Sequence, residues 1–247
     1  MSFKNAWNIT QKEFSIIRLK KTLIYFYVIL PLALSIGLPL LLWHLLNGAS
    51  IRASDIHYIT GLMDAFEFFF AIIAVILCSY TAAYSIVGEK IQKSLEPLLS
   101  TPVSDGEIIL GKALSAFIPS FLAVILGNSI YMALMDKVTY TLLGYSYYPN
   151  LSIVIVLLLL VPAGIVLSIE VSTVSSSRVG DPRSAYQLSM VGFVPFFIVY
   201  LLTEIGVISL TNTILLIISG FVAAADILMY PVVIKTFNRD SILTSWK

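Results

Sequence analysis

Residues 106–112 are the part of this chain whose residue types and spacing come nearest to a phosphate-binding loop. They follow the pattern G-x-x-x-x-G-K, in which backbone amides cradle phosphates and the lysine reaches the terminal ones. The next residue is Ala113, so the hydroxyl group that would bind magnesium is missing, and no β-strand pattern leads into the string. We therefore interpret the match as coincidental and expect that this chain does not hydrolyse nucleotide by itself.

Other arrangements that carry catalysis or bind metals are missing from the sequence. It contains no G-x-S-x-G nucleophile motif, no H-E-x-x-H zinc motif and no cluster of cysteines and histidines. The two histidines, His44 and His57, would form an under-ligated metal site by themselves. The sequence therefore predicts no catalytic residue, no metal site and no cofactor bound by this chain.

A few polar side chains inside long apolar runs are the remaining candidates for chemistry. Asp226 precedes Lys235 by nine residues, about 13 Å along a helix, which places it near the bilayer centre. Asn128 lies within another apolar run, whereas Glu170 is expected near the membrane surface, where a charge is less unfavourable. Asp226 and Asn128 can line a substrate path, or they can be hydrogen-bonded groups that hold helices together, and the sequence leaves both open.

The composition places these residues in a membrane protein. Hydrophobic residues make up 58% of the chain and charged residues 12%, against roughly 25% charged residues in soluble domains. So few charged side chains leave too little polar surface to keep a folded domain in water. The net charge of +1 gives no reason to expect a nucleic-acid partner.

Six apolar runs are long enough to cross a bilayer as helices, which takes about 20 residues. They are residues 22–46, 66–87, 108–135, 151–173, 188–203 and 205–237. The sixth run is too long for one crossing, so we expect either a short re-entrant segment between spans five and six or a plain loop with a tilted sixth helix. The predicted fold is an all-α integral membrane protein with one transmembrane domain over residues 1–247.

Lysine and arginine residues predict the side of the membrane that each connecting segment faces. Thirteen of the 15 lie in the N-terminus, in the segments after spans two and four, or in the C-terminus, whereas Arg52 and Lys137 lie on the other side. Because cytoplasmic segments are enriched in Lys and Arg, we expect both termini in the cytoplasm. The acids expected at the outer interface are Asp64, Glu67, Asp136 and Glu204.

The first 21 residues have the pattern of an amphipathic helix. At roughly 100° per residue, one face is shared by Phe3, Trp7, Thr10, Phe14 and Ile17. Basic and polar side chains occupy the other side. Such a helix lies in the interface of the inner leaflet, with Trp7 at the depth of the headgroups. The sequence therefore predicts an interfacial helix before the first span.

Residues 88–106 form a polar segment that carries more side chains than a turn between two spans needs. Leu95, Leu98 and Leu99 follow helical spacing and share one apolar face. Pro97 is compatible with the first turn of a helix or with a kink. We therefore predict a short cytoplasmic helix in this segment, with an apolar face that contacts something outside the membrane.

Two further signals lie on the same side of the membrane. Ser104 and Glu107 have the spacing of a capping box, in which each side chain bonds the other's backbone amide, so the third span is expected to start there. A second cytoplasmic loop is predicted over residues 174–187. Its charged residues are Arg178, Asp181 and Arg183.

These polar segments resemble the signature of ATP-binding-cassette type-two permeases. Family members typically read E-x-x-x-G-T-L-E-x-L-L-x-T-P-V-S and then E-I-L-L-G-K. The residues of this chain that carry the resemblance are Glu89, Lys90, Ser94, Leu95, Glu96, Leu98, Leu99, Thr101, Pro102 and 107–112. Lys93 stands where the family has glycine, and Ser94 where it has threonine. The second loop is similar to the arginine/aspartate-proline loop before span five of the family, and the resemblance covers nearly the whole chain.

The resemblance implies the permease subunit of an ATP-driven exporter. Such permeases pair as dimers, with a second copy or with a homologous permease, and dock two copies of a separate ATPase subunit that binds ATP and magnesium. The segment with Glu89, Lys90 and residues 94–102 would be the coupling helix that enters a cleft of that ATPase. The protein would lie in the plasma membrane in contact with lipid, and its substrate stays open among lipids, peptides, drugs, polysaccharides and sodium.

A secondary carrier that works without ATP is the alternative. It would need paired acids within the membrane and internal repeats. The sequence shows one central acid, Asp226, and no repeat.

Overall fold

Every element in the described part of the chain is helical. A computed structural model describes residues 3–48, 56–91 and 103–236. The first four helices are α1, Phe3–Leu19; α2, Lys21–Gly48; α3, Ile56–Ile91; and α4, Asp105–Leu143. Helix α5 consists of Leu151–Ile155, a π-helical turn at Val156–Leu160, and Val161–Arg178. Helix α6 consists of Pro182–Ser189, a 3₁₀ turn at Met190–Phe193, and Val194–Glu204. Helix α7 is Asn212–Thr236.

Helices α2 to α7 are each long and apolar enough to cross a membrane. The predicted all-α membrane protein with six spans is therefore confirmed. Successive spans run in opposite directions, so α3, α5 and α7 end where α2, α4 and α6 begin. We call this side of the molecule the α1 end, because α1 lies there, and the other side the opposite end.

The connection between α5 and α6 is much shorter than the loop predicted over residues 174–187. Helix α5 continues to Arg178 and α6 begins at Pro182, so residues 179–181 alone lie between them. Asp181 is the N-cap of α6, and its carboxylate accepts a hydrogen bond from the Ser184 amide at 2.9 Å. Asp followed by Pro is a strong helix start, because Pro fits the first helical turn and Asp satisfies a terminal amide. The fifth span therefore begins before its apolar run.

The connection between α6 and α7 is a seven-residue loop, residues 205–211. Gly206 has a φ of 75°, a left-handed conformation that suits glycine, and it turns the chain at the end of α6. Helix α7 then begins at Asn212 and runs for 25 residues, enough for one crossing. The described residues thus contain no re-entrant helix here, and the extra length of the sixth apolar run is accounted for by the loop.

Helix α3 forms the centre of the molecule. In its most apolar stretch of 18 residues, 72% is buried inside the protein, more than in any other span of the described chain. Small polar residues let it approach α5 closely: the hydroxyls of Ser79 and Ser168 lie 2.8 Å apart, and Ser168 also donates to the carbonyl of Val75 at 3.0 Å. Close packing and interhelical hydrogen bonds of this kind hold helices together where lipid gives no hydrophobic drive.

Candidate functional site

The start of α4 is fixed by the capping box that the sequence predicts. The Ser104 hydroxyl accepts from the Glu107 amide at 3.4 Å, and a Glu107 carboxylate oxygen accepts from the Ser104 amide at 3.0 Å. The same oxygen also accepts from the side-chain amide of Asn5 on α1, at 3.3 Å. Glu107 therefore both starts α4 and attaches α1 to it.

Helix α1 forms where an amphipathic helix is predicted, and the side that it turns to the protein shares Thr10 with the predicted apolar face but otherwise consists of other residues. The residues buried on α1, which packs against α4, are Ala6, Ile9, Thr10 and Glu13. Phe3 and Trp7 stack on each other on a more exposed side, with ring centroids 6.4 Å apart. Sequence periodicity identified these aromatic residues but not the protein-facing side. That the exposed aromatic side lies in a membrane interface stays a prediction.

Gly111 is the point of closest approach between α1 and α4. A Cβ atom at this position would lie 2.7 Å from the Ala6 carbonyl oxygen and 2.7 Å from the Ile9 Cβ, closer than real Cβ contacts allow. The Thr10 hydroxyl lies 3.0 Å from two carbonyl oxygens, that of Ala6 on its own helix and that of Gly111 on α4, and can donate to either. Gly111, the second glycine of the pattern that resembles a phosphate-binding loop, therefore lets α1 and α4 pack closely.

Lys112 joins three helices at one atom. Its Nζ lies 2.9 Å from a carboxylate oxygen of Glu13 on α1, 3.0 Å from the hydroxyl of Ser85 on α3 and 3.1 Å from the Ser85 carbonyl. The side chains of Lys112 and Glu13 are 6% and 5% exposed. We call Glu13, Ser85 and Lys112 the Lys112 clamp. In this arrangement the lysine neutralises a buried carboxylate, which agrees with reading the phosphate-loop pattern as coincidental.

Further contacts hold the end of α3 on the same side as the clamp. The Tyr27 hydroxyl on α2 bonds the hydroxyl of Thr81 on α3 and lies 3.3 Å from that of Ser120 on α4. The ammonium of Lys20 lies 3.5 Å from the centre of the Tyr84 ring, a cation–π contact. These contacts connect α3 to the beginning of α2 as well as to α4.

Helix α6 covers the other side of the end of α3. Ala83 and Val87 form a small buried cluster with Ala185, and Tyr80 meets Tyr186 edge to face with centroids 5.2 Å apart. The end of α3 is therefore enclosed between the clamp on one side and α6 on the other. This end of α3 contacts α4 and α6 directly and α1 through Lys112.

The predicted coupling segment lies between the two helix ends that the clamp joins. Glu89 and Lys90 belong to the last turn of α3, although their side chains are not described. Outside the described residues lie Ser94, Leu95, Glu96, Leu98, Leu99, Thr101 and Pro102. The chain re-enters the described part at Val103, directly before the capping box. The assigned coupling residues stay a prediction, and their position in the chain is next to the clamp.

The second predicted cytoplasmic site is mostly helix. Arg178 ends α5, with its side chain outside the described atoms, and Arg183 is exposed in the first turn of α6. Hydrogen bonds from the Ser184 hydroxyl and amide hold the pKa of Asp181 below its usual value. Asp181 thus has a structural role as a helix cap, and any role of these residues toward a partner stays a prediction.

The intramembrane residues singled out by the sequence lie in two different places. Asn128 on α4 is fully buried, and neither its amide nitrogen nor its amide oxygen has a hydrogen-bond partner among the described residues. Asp226 on α7 is partly buried and interacts electrostatically with Glu170 on α5. These two acids therefore lie at similar depth, whereas the sequence placed one near the bilayer centre and the other near the surface. A single sequence cannot show which acids on different helices face each other.

The acids at the opposite end are held by tyrosines. Asp64 accepts from the Tyr147 hydroxyl at 2.8 Å, and Asp136 accepts from the amides of Tyr147 and Tyr148, each at 3.0 Å. Burial and the nearby Asp64 raise the pKa of Tyr147 above its usual value. Glu67 was expected at the outer interface but is 1% exposed, because α3 is surrounded by protein at this level.

The family of this chain follows from a comparison with known proteins. A family model described as "ABC-2 family transporter protein" matches residues 7–238, a range that includes the Lys112 clamp and all six spans. None of the curated proteins matches the chain. The match covers most of the sequence, and the helical architecture agrees with it. The chain therefore belongs to the ABC-2 transporter family, as a multi-pass membrane permease subunit of an ATP-binding-cassette transporter.

Proposed function

We propose that this permease is the membrane part of an ATP-driven exporter, works as a dimer and takes its driving force from a separate ATPase through residues 89–102. The observation that carries the proposal is the Lys112 clamp. It joins α1, α3 and α4 beside the two helix ends between which this segment lies.

The clamp supports a mechanism in which movement of one small segment becomes movement of whole helices. An α-helix rises about 1.5 Å per residue, so α3 and α4, with 36 and 39 residues, are longer than the roughly 30 Å of hydrocarbon. A push on the segment between them acts on two long, rigid elements at once. The contacts at Lys112 and at Gly111 would make α1 move with them, and the cluster at Ala185 would include α6.

In this proposal the protein lies in the plasma membrane, and its α1 end faces the cytoplasm. It is supported by the bias of Lys and Arg toward the segments at this end. ATP and magnesium would be bound by the partner, of which two copies would serve two permeases. Closure of the ATPase pair would then rock the permeases and release substrate outward.

Reconstitution tests this proposal. The purified permease is mixed with candidate ATPase subunits, and co-purification and ATP-dependent transport in vesicles are measured. We expect a stable complex and transport that stops when the ATPase carries an inactive nucleotide site. Transport by the permease without any ATPase would overturn the proposal.

A secondary carrier is the second candidate, and one observation favours it. Glu170 and Asp226 form a pair of acids on facing helices, which is one of the two features that such carriers need. The other feature, an internal repeat, is missing from the sequence. In the same vesicles, uptake driven by an imposed ion gradient in the absence of ATP would identify this mechanism.

A further inference from the structure

A cavity of about 530 Å³ opens between α4, α5 and α7 at the α1 end of the molecule. Its walls are mainly apolar and include Leu110, Phe117, Val166, Ile169 and Val233. Sites for small molecules typically have volumes of about 300–1,000 Å³ and apolar walls with a few placed polar groups. The cavity therefore has the size and lining of a site for a small organic molecule.

Glu170 supplies the buried polar group of this cavity. The residue is 6% exposed and lines the cavity, and its Oε2 atom is buried without a hydrogen-bond partner among the described residues. The Oδ1 atom of Asp226, on the facing helix, is likewise buried without a partner in the described part of the chain. The two acids interact electrostatically. A buried carboxylate with no partner is unfavourable, and a positive charge placed beside it removes that penalty.

The described cavity lining offers no positive charge of its own. It contains the acids Asp105 and Glu170 and no lysine, arginine or histidine. Tyr230, 58% exposed, lies at the rim with its ring available for a cation–π contact. Val166 and Ile234, which line the cavity, are 37% and 49% exposed, so the cavity is open to the surroundings of the helices and a ligand can enter it.

We propose that this cavity binds a lipophilic cation, with its apolar body against the walls and its positive charge beside Glu170, the lining residue that Asp226 neighbours. That the cation is the transported substrate rests on the function proposed above. The binding itself does not, because it needs neither the ATPase nor a second subunit.

Two ions of the same shape and opposite charge test the proposal. The purified permease in lipid nanodiscs is titrated with tetraphenylphosphonium and with tetraphenylborate, and binding to empty nanodiscs is subtracted. We expect saturable binding of the phosphonium, at least about tenfold tighter than any binding of the borate, because an acid about 6 Å from the charge favours one sign alone. A cavity filled by lipid chains or by a second copy of the chain would bind both ions equally or neither, and either result would overturn the proposal.

Three variants locate the binding. Glu170→Gln keeps shape and polarity, and we expect it to weaken phosphonium binding about tenfold. Val166→Trp fills the cavity while both acids stay in the chain, and it should weaken binding to a similar extent. Glu204→Gln, a matched change of an exposed acid at the far end of α6, should leave binding unchanged. Phosphonium binding that survives both Glu170→Gln and Val166→Trp in correctly folded protein would place the site elsewhere and overturn the assignment.

The two proposals fail separately. A permease that transports with its ATPase but does not bind the phosphonium would overturn the cation site and leave the exporter standing. A permease that binds the phosphonium at Glu170 but transports without any ATPase would overturn the exporter and leave the site standing.

Discussion

Breaking the Lys112 clamp should destabilise the permease strongly. Lys112→Met keeps the length of the side chain and removes its charge, so the carboxylate of Glu13 stays buried without its ion-pair partner. Removing one partner of a buried pair lowers the free energy of unfolding by about 3–5 kcal/mol. At this chain length about 2–4 °C corresponds to each kcal/mol, so we expect the unfolding midpoint Tm to fall by roughly 6–20 °C.

A double-mutant cycle separates the ion pair from general effects of substitution. Glu13→Leu alone removes the carboxylate beside the buried Lys112 ammonium and should be similarly harmful, whereas Glu13→Leu combined with Lys112→Met removes both charges of the pair. We therefore expect the double variant to be more stable than either single variant. Lys137→Met, at an exposed lysine of α4 near the opposite end, is the matched control and should change stability by less than about 0.5 kcal/mol.

Thermal unfolding of the purified variants in one detergent measures these effects. The same samples, reconstituted with the ATPase, report whether ATP turnover still drives transport. If the double variant is as unstable as the sum of the single changes, the two side chains do not interact as described. If Lys112→Met has the same Tm as the wild type, the clamp contributes nothing to stability, and its role in transmitting movement loses its basis.

Three further predictions concern the same end of the molecule. Gly111→Ala should lower the free energy of unfolding by about 1–3 kcal/mol, because its Cβ would collide with the backbone of α1. Gly220→Ala, which has open space around it, is the control and should be neutral or slightly stabilising. Thermal unfolding compares the two variants directly. Ser104→Ala removes the N-cap of α4 and should lower the free energy of unfolding by about 1 kcal/mol, while threonine at the same position should restore most of it. Replacing Leu95 and Leu98 by Asp should leave membrane insertion intact but abolish transport driven by ATP; unchanged substrate-stimulated ATP turnover in that variant would contradict the assigned docking role.

Local patterns predicted the parts of this fold that depend on neighbours along the chain. The six spans follow from the length of apolar runs, and the start of α4 follows from the spacing of Ser104 and Glu107. The apolar run places the start of α6 too late, although Asp181 followed by Pro182 has the pattern of a helix start. In that case a capping signal located the helix boundary better than hydropathy did.

Contacts between helices could not be predicted in this way. Glu13 has the appearance of a surface acid on an amphipathic helix, yet it is buried against Lys112. Glu170 and Asp226 are separated by more than fifty residues, and nothing in one sequence indicates that they face each other. One sequence signal could have suggested the clamp: the acid Glu13 in α1 together with Lys112 directly after Gly111. A small residue beside a charged one lets two helices approach closely enough to form an ion pair.

The π-helical turn in α5 sets which way Glu170 points. In the turn at Val156–Leu160, the amide of Val161 bonds the carbonyl of Val156, five residues back, and Pro162 follows with no amide hydrogen to donate. Such a turn inserts one residue more than a regular helix would have. Each residue advances an α-helix by about 100°, so the part of α5 after the turn is rotated by that angle relative to the part before it. A chain shorter by one residue here would keep a helix long enough to cross the membrane, but its Glu170 would be turned by about 100° from the direction in which it now lines the cavity.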